Sequence, residues 1–101
     1  MSVTQGSTRE KTSDMTKEPK QYEVIMHNDD FTTMEFVVDV LTGIFHKERA
    51  TAEALMLDVH KKGSAVIGRY SYDIAVTKTN KAMSLAKEKG FPFRMTVREA
   101  R

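Results

Sequence analysis

Asn28, Asp29 and Asp30 stand side by side in IMHNDDFTTMEFVVDVL, directly ahead of a helix-starting signal and a long apolar run. An amide and two carboxylates at that point gather three acceptor side chains at the mouth of an apolar helix. Such residues often do no more than build an Asx-turn or an N-cap, where negative charge also complements the helix dipole. Calcium would need more oxygen ligands at fixed spacing, with a glycine and a later Glu that the sequence lacks. His27, Asp29 and His60 could be assembled into a metal site on paper, but no H-x-x-x-H or Cys pair supports one, and no metal or other cofactor is expected. There is no phosphate loop, no G-x-S-x-G elbow and no dinucleotide fingerprint, and a lone His60 on a helix is more often a surface or core histidine than a catalytic base. No catalytic residue is assigned.

The elements that position these residues follow from hydrophobic periodicity. YEVIMH puts Tyr22, Val24 and Met26 on one face of a strand. Thr32 with Glu35 predicts a capping box, followed by Met34, Val37, Val38, Leu41, Ile44 and Phe45 on one side of a helix that ends near His46. A second helix, Arg49 to Lys62, carries Ala52, Leu55, Met56 and Val59 on one face, with Gly63 as its left-handed terminator. In SAVIGRYSY, Val66, Gly68 and Tyr70 alternate with Ala65, Ile67 and Arg69, and Gly68 marks a weak point or a close approach. A third helix runs from Asp73 to Lys89, burying Ile74, Ala75, Ala82, Met83 and Ala86, and Gly90 ends it. FPFRMTVRE supplies a third strand, with Phe93, Met95 and Val97 alternating against Arg94, Thr96 and Arg98. The order β-α-α-β-α-β predicts a compact α+β domain, a small, three-stranded, largely antiparallel sheet covered by three helices. His60 lies four residues after Met56 on the same face. If the first two helices form a hairpin, the acidic loop, Met34, Val37, Met56, Val59 and His60 share one cleft. By spacing alone, though, the Met-rich faces are more often core than ligand box.

Composition sets the outer limits. The chain has 101 residues, 40% hydrophobic and 30% charged, which fits one domain and not two. Its formal charge of +2 comes from sixteen basic and fourteen acidic residues spread along the chain, so nucleic acid is not an expected partner. The absence of cysteine removes disulfides, thiolate nucleophiles and zinc–thiolate sites. No apolar stretch approaches the roughly 20 residues that span a bilayer, so membrane is not a partner either and a cytoplasmic, monomeric protein is expected. Residues 1–21 lack aromatics and are rich in Ser, Thr and Lys, which predicts a flexible extension ahead of a core domain at residues 22–101.

Four stretches, NDDFTTMEFVVDVL, LMLDVHKKG, YDIAVTK and FPF, taken in this order and spacing, resemble the bacterial ClpS family, adaptors of the Clp protease in the N-degron pathway. The resemblance runs from about Tyr22 to Arg98 and implies the α+β unit read above. It also implies a protein that is not an enzyme and that binds substrates whose first residue is Phe, Tyr, Trp or Leu. Such adaptors dock on the N-terminal domain of a Clp AAA+ ATPase, ClpA- or ClpC-like. Carried onto this chain, it implies that Asn28, Asp29 and His60 hold the free α-amino group. Asp30, Thr32, Met34, Val37, Met56, Val59 and Phe93 would form the pocket for the first side chain, with Phe93 where the family commonly has Leu. Asp73 and Lys78 would contact the ATPase, although by charge alone they read as a solvated helix face.

The chemistry suits that assignment. A free α-amino group has a pKa near 7.7–8.0 and is mostly a cation with three donors at neutral pH, matched by an amide oxygen, a carboxylate and a neutral imidazole nitrogen. Two other readings remain open at this stage. One is a Clp-binding modulator with altered or lost N-terminal preference. The other is an interaction domain like that of the ribosomal stalk, which shares the element order, and in which the acidic loop and His60 have no role.

Overall fold

β1 (Tyr22–His27) is the middle strand of a three-stranded sheet, paired antiparallel with β2 (Ser64–Tyr70) on one side and β3 (Arg94–Glu99) on the other. The computed structural model describes residues 19–101, so most of the expected extension lies outside the described residues. α1 (Met34–Gly43) and α2 (Arg49–Lys62) connect β1 to β2, and α3 (Tyr72–Glu88) connects β2 to β3. The element order is the one the periodicity predicts, and the sheet is wholly antiparallel.

The core fills the space between the helices and the sheet face that carries Val24, Met26, Ile67 and Met95. Four consecutive residues of β1, Glu23 to Met26, are buried, so a simple in–out alternation does not describe it. On the opposite face Glu23 is covered by Arg69 of β2 (3.1 Å) and Arg98 of β3 (2.9 Å), one arginine from each flanking strand. The Arg98 hydrogen bond is the largest influence on Glu23, and despite partial burial the two guanidinium groups hold its carboxyl below the usual value.

Three expectations from periodicity shift by a residue or more. Val24 pairs with Gly68 and Ile25 with Val66, so Ile67 is an extra residue, a β-bulge. The bulge reverses parity within β2: Ile67 is 3% exposed while Val66 is 39% exposed, and strict alternation from Tyr70 down to Val66 is lost. Gly68 is a close approach, since a Cβ there would lie 2.8 Å from the Tyr70 hydroxyl oxygen. Secondly, the cap of α1 is Thr33, whose side chain accepts from the Phe36 N–H at 3.1 Å, and not Thr32. The Thr32 hydroxyl is turned instead toward Asp29, to which it donates. α1 then ends at Gly43, short of His46, which adopts the left-handed region at φ 56°.

Thirdly, the buried face of α1 is Phe36, Val38, Val40 and Leu41, which leaves Met34 exposed and Val37 half-buried. α3 starts at Tyr72, one residue before Asp73, and buries Ala75, Thr79, Ala82 and Ala86, leaving Ile74 exposed. Small residues at this spacing let the helix sit close to the sheet. α2 has the predicted bounds, and Gly63 closes it at φ 91° with its N–H on Val59 O. β3 begins at Arg94, and Phe93 just before it is buried edge-on against Phe36.

Candidate functional site

Residues 28–33 join the end of β1 to the cap of α1, and the backbone fixes where they go. The Asn28 N–H donates to Gly63 O at 2.9 Å, tying the loop to the terminus of α2. His60 sits in the last turn of α2, so that single bond draws it toward the loop.

Asp29 organises the loop. Its Oδ1 accepts from the Phe31 N–H (2.8 Å) and the Thr32 N–H (2.7 Å), and its Oδ2 accepts from the Thr32 hydroxyl (2.8 Å). Partial burial pushes its carboxyl up, but the bonds from Thr32 backbone, Thr32 hydroxyl and Phe31 backbone outweigh that and hold it below the usual carboxylate range. Asp29 is therefore an anion at neutral pH. A carboxylate offers about four acceptor positions; three are used within the loop and one, on Oδ2, is left over. The turn-building role expected of such residues is real, and it leaves room for a second one.

The loop opens onto a cleft of about 440 Å³. Every sequence-predicted residue of the amine and side-chain sites lines it: Asn28, Asp29, Asp30 and Thr32 from the loop, Met34 and Val37 from α1, Met56, Val59 and His60 from α2, and Phe93 ahead of β3. The carboxylates, amide and imidazole thus stand over a hollow whose deeper surface is Val59 and Phe93, both buried in the core. Met34, the first residue of α1, is 67% exposed, a rim position and not a core one.

Three lining residues escaped the sequence reading: Met26, His27 and Leu57. Met26 is 1% exposed and reads from sequence only as core; that it also closes a cleft depends on how the helices pack over the sheet. Leu57 is 49% exposed and off the expected apolar face of α2, though its position three residues before His60 was a usable signal. The Nε2 of His27 is 2.8 Å from the Thr96 hydroxyl, and burial, followed by the charge of Arg94, lowers its pKa.

The expected ATPase contacts lie elsewhere, on α3. Asp73 is exposed in the first turn. Lys78 is half-buried: its Nζ donates to Ile44 O at 2.7 Å, capping the end of α1, and lies 5.9 Å and 5.8 Å from the ring centres of Phe45 and Tyr70. Five residues separate the two, about 140° around the helix axis, so they do not form one stripe. Two of the three ammonium donors of Lys78 remain for a partner.

Among the described residues no group of three or more His, Cys, Asp or Glu could hold a metal ion, and no helix is long and apolar enough to cross a membrane. The arrangement can bind a cation joined to an apolar group.

The family model described as ATP-dependent Clp protease adaptor protein ClpS matches residues 17–96. The ATP-dependent Clp protease adapter protein ClpS of Clostridium acetobutylicum is 48% identical over 83 residues, covering 82% of this chain and 82% of that protein. The protein of the same description from Desulforapulum autotrophicum is 41% identical over 101 residues, covering 96% and 97%. A solved structure of Agrobacterium tumefaciens ClpS2 bound to L-phenylalaninamide superposes with a TM-score of 0.79 at 41% identity, covering 82% of this chain and all of that one.

Proposed function

The chain belongs to the ClpS family, adaptor proteins of the ATP-dependent Clp protease and not enzymes, and we propose that its cleft binds the free N-terminus of substrates that begin with Phe, Tyr, Trp or Leu. One observation carries the reading: acceptors from two separate elements, Asn28 and Asp29 from the loop and His60 from α2, meet at one cleft above an apolar floor. That is the complement of an α-ammonium one bond away from a carbon bearing a large apolar side chain. L-phenylalaninamide, the ligand of the Agrobacterium tumefaciens ClpS2, has this chemistry, a free amine and a Phe side chain.

The magnitudes support useful affinity. Hydrogen bonds to a charged group contribute about 1.5–3 kcal/mol each, and burying a Phe-sized side chain contributes about 1.5–3 kcal/mol more. Set against the costs of association, three such bonds and one buried side chain are consistent with micromolar binding or tighter. The adaptor then delivers its cargo to a Clp AAA+ ATPase, ClpA- or ClpC-like. It docks through α3, where exposed Asp73 is flanked by exposed Tyr72 and Ile74, with Lys78 contributing through its remaining donors. Residues 22–101 form the binding domain, and residues 1–21 act in handover, not in peptide binding.

Fluorescence anisotropy with otherwise identical peptides beginning Phe, Leu, Ile, Arg and acetyl-Phe tests the reading. Phe and Leu are expected to bind, and Ile, Arg and acetyl-Phe to bind at least tenfold more weakly, about 1.4 kcal/mol. Equal binding of Phe and acetyl-Phe peptides would remove the amine from the account and leave a Clp-binding modulator with a different cargo.

A further inference from the structure

The helices pack on the sheet face that carries Val24, Met26, Ile67 and Met95, and among the described residues no helix covers the other face. The strand registers lay that face out in rows. Arg69, Glu23 and Arg98 form the first row, and Val66, Ile25 and Thr96 form the second. Arg94 stands in the third, beside His27. Ile25 is buried by its neighbours yet belongs to no part of the core cluster, and the bulge leaves Val66 39% exposed. Neither the arginines nor Val66 and Thr96 line the cleft, and none of them lies on α3 with Asp73 and Lys78.

The first row is organised before any partner arrives. Buried Glu23 holds Arg98 Nε at 2.9 Å and an Arg69 Nη at 3.1 Å, while the two arginine side chains stay 62% and 58% exposed. A guanidinium has five donors, so most of them remain for a partner. Fixing long side chains is part of the cost of an exposed ion pair, and here folding has already met it. A hollow of about 480 Å³ lies over this row, between it, Glu99 and Arg101. Arg94 is exposed and takes part in no ion pair among the described residues. Four residues of extended strand, about 13 Å, separate it from Arg98, and the row between them carries no charge. The wider distribution of charge agrees. Residues 59–101, which include both flanking strands, carry ten basic and three acidic side chains, whereas residues 22–58 carry two and eight.

We propose that this uncovered sheet face docks an acidic segment of a partner protein, bound extended, with the pattern Asp/Glu-x-apolar-x-Asp/Glu. An extended segment sets alternate side chains on one side and spans the same 13 Å or so in four residues. One carboxylate then reaches Arg98 and Arg69, the other reaches Arg94, and the apolar side chain between them lies over Ile25 and Val66. A nucleic-acid backbone fits less well, because it has no apolar group for Val66 and its phosphates would meet Glu23 and Glu99. The surface is additional to the cleft and to α3.

The test uses the full chain, labelled with 15N, and peptides acetylated so that they offer the cleft no amine. The probe is acetyl-Gly-Glu-Ser-Leu-Ser-Glu-Gly-amide, compared with a form in which Gln replaces both Glu and a form in which Ser replaces Leu. Amide chemical shifts read both position and affinity. The probe is expected to shift amides of β1 and β3, to leave those of residues 28–32 in place, and to bind about twofold to fivefold tighter than either comparison peptide. Arg94→Gln disturbs no ion pair of the fold and should weaken the probe by about the same factor, whereas Arg94→Lys should retain its affinity. Val66→Ser should erase the advantage of Leu over Ser. Lys87→Gln, exposed on α3 and outside this face, should change nothing. Shifts that do not map to this face, equal affinity for the Glu and Gln peptides, or an equal loss in Lys87→Gln would overturn the proposal. So would tighter binding of a trinucleotide, whose two phosphates match the charge of the probe, since that would mark a nucleic-acid surface.

Discussion

Replacing Asp29 by Asn separates the two roles that the structure gives this side chain. Asp29→Asn keeps an oxygen to accept from the Phe31 and Thr32 N–H groups, now at 2.8 Å and 2.7 Å, and places an NH₂ where Oδ2 receives the Thr32 hydroxyl. That hydroxyl can rotate to accept, so the loop is retained while the negative charge and the last free acceptor position are lost. A bond to a charged acceptor contributes about 1.5–3 kcal/mol, and with an NH₂ in the place of Oδ2 the whole of it is lost. The expected loss is therefore about 1.5–3 kcal/mol, or roughly tenfold to a hundredfold in Kd for a Phe-initiated peptide. Asp29→Ala also removes three loop bonds and should weaken the same peptide at least tenfold while lowering thermal stability, each bond contributing about 0.5–1.5 kcal/mol. Anisotropy with Phe and acetyl-Phe peptides, alongside thermal melts, reads both effects. If Asp29→Asn bound the Phe peptide as well as the parent did, Asp29 would be a turn residue only and the amine would need another counter-charge.

Met34→Ala should admit Ile- and Val-initiated peptides, whose branched Cβ meets the rim side chain in the parent, with a gain of about 1–3 kcal/mol; loss of Phe binding with no gain for Ile would make Met34 a packing residue. Lys78→Met should lower Tm, since the bond to Ile44 O and the contacts with Phe45 and Tyr70 contribute about 1–2 kcal/mol; an unchanged melt would refute the cap on α1. The Thr79 hydroxyl is buried with no hydrogen-bond partner among the described residues, so Thr79→Val should raise stability by about 1 kcal/mol, or Tm by roughly 4–8 °C, and a lower Tm would point to a partner. The pKa of His27 is lowered on folding from an ordinary value of 6.5, so the neutral form is favoured in the native state. Its contribution is then complete above pH 6.5 and declines as pH falls through and below that value. Urea midpoints between pH 7.5 and 5.5 should drift downward, and His27→Gln, which can still bond to Thr96, should flatten the drift; an identical slope in the variant would clear His27 of it.

The sequence by itself determined the order of elements, the bounds of α2 and the terminating role of Gly63, because these depend on local periodicity and on a conformation that glycine adopts without strain. It also named ten of the thirteen residues that line the cleft, through the NDD loop and a pattern of four separated stretches. What it left undecided depends on contacts between residues far apart or in competition. Thr32 and Thr33 are equally good caps by type, and only the claim of Asp29 on Thr32 hands the role to Thr33. The bulge at Ile67 is a property of strand pairing, so no reading of β2 alone could find the change of face. Met34 and Val37 fit the apolar stripe of α1 as well as any core residue. Their exposure to the cleft follows from how α1 packs against α2, a matter of tertiary packing that hydrophobicity does not encode.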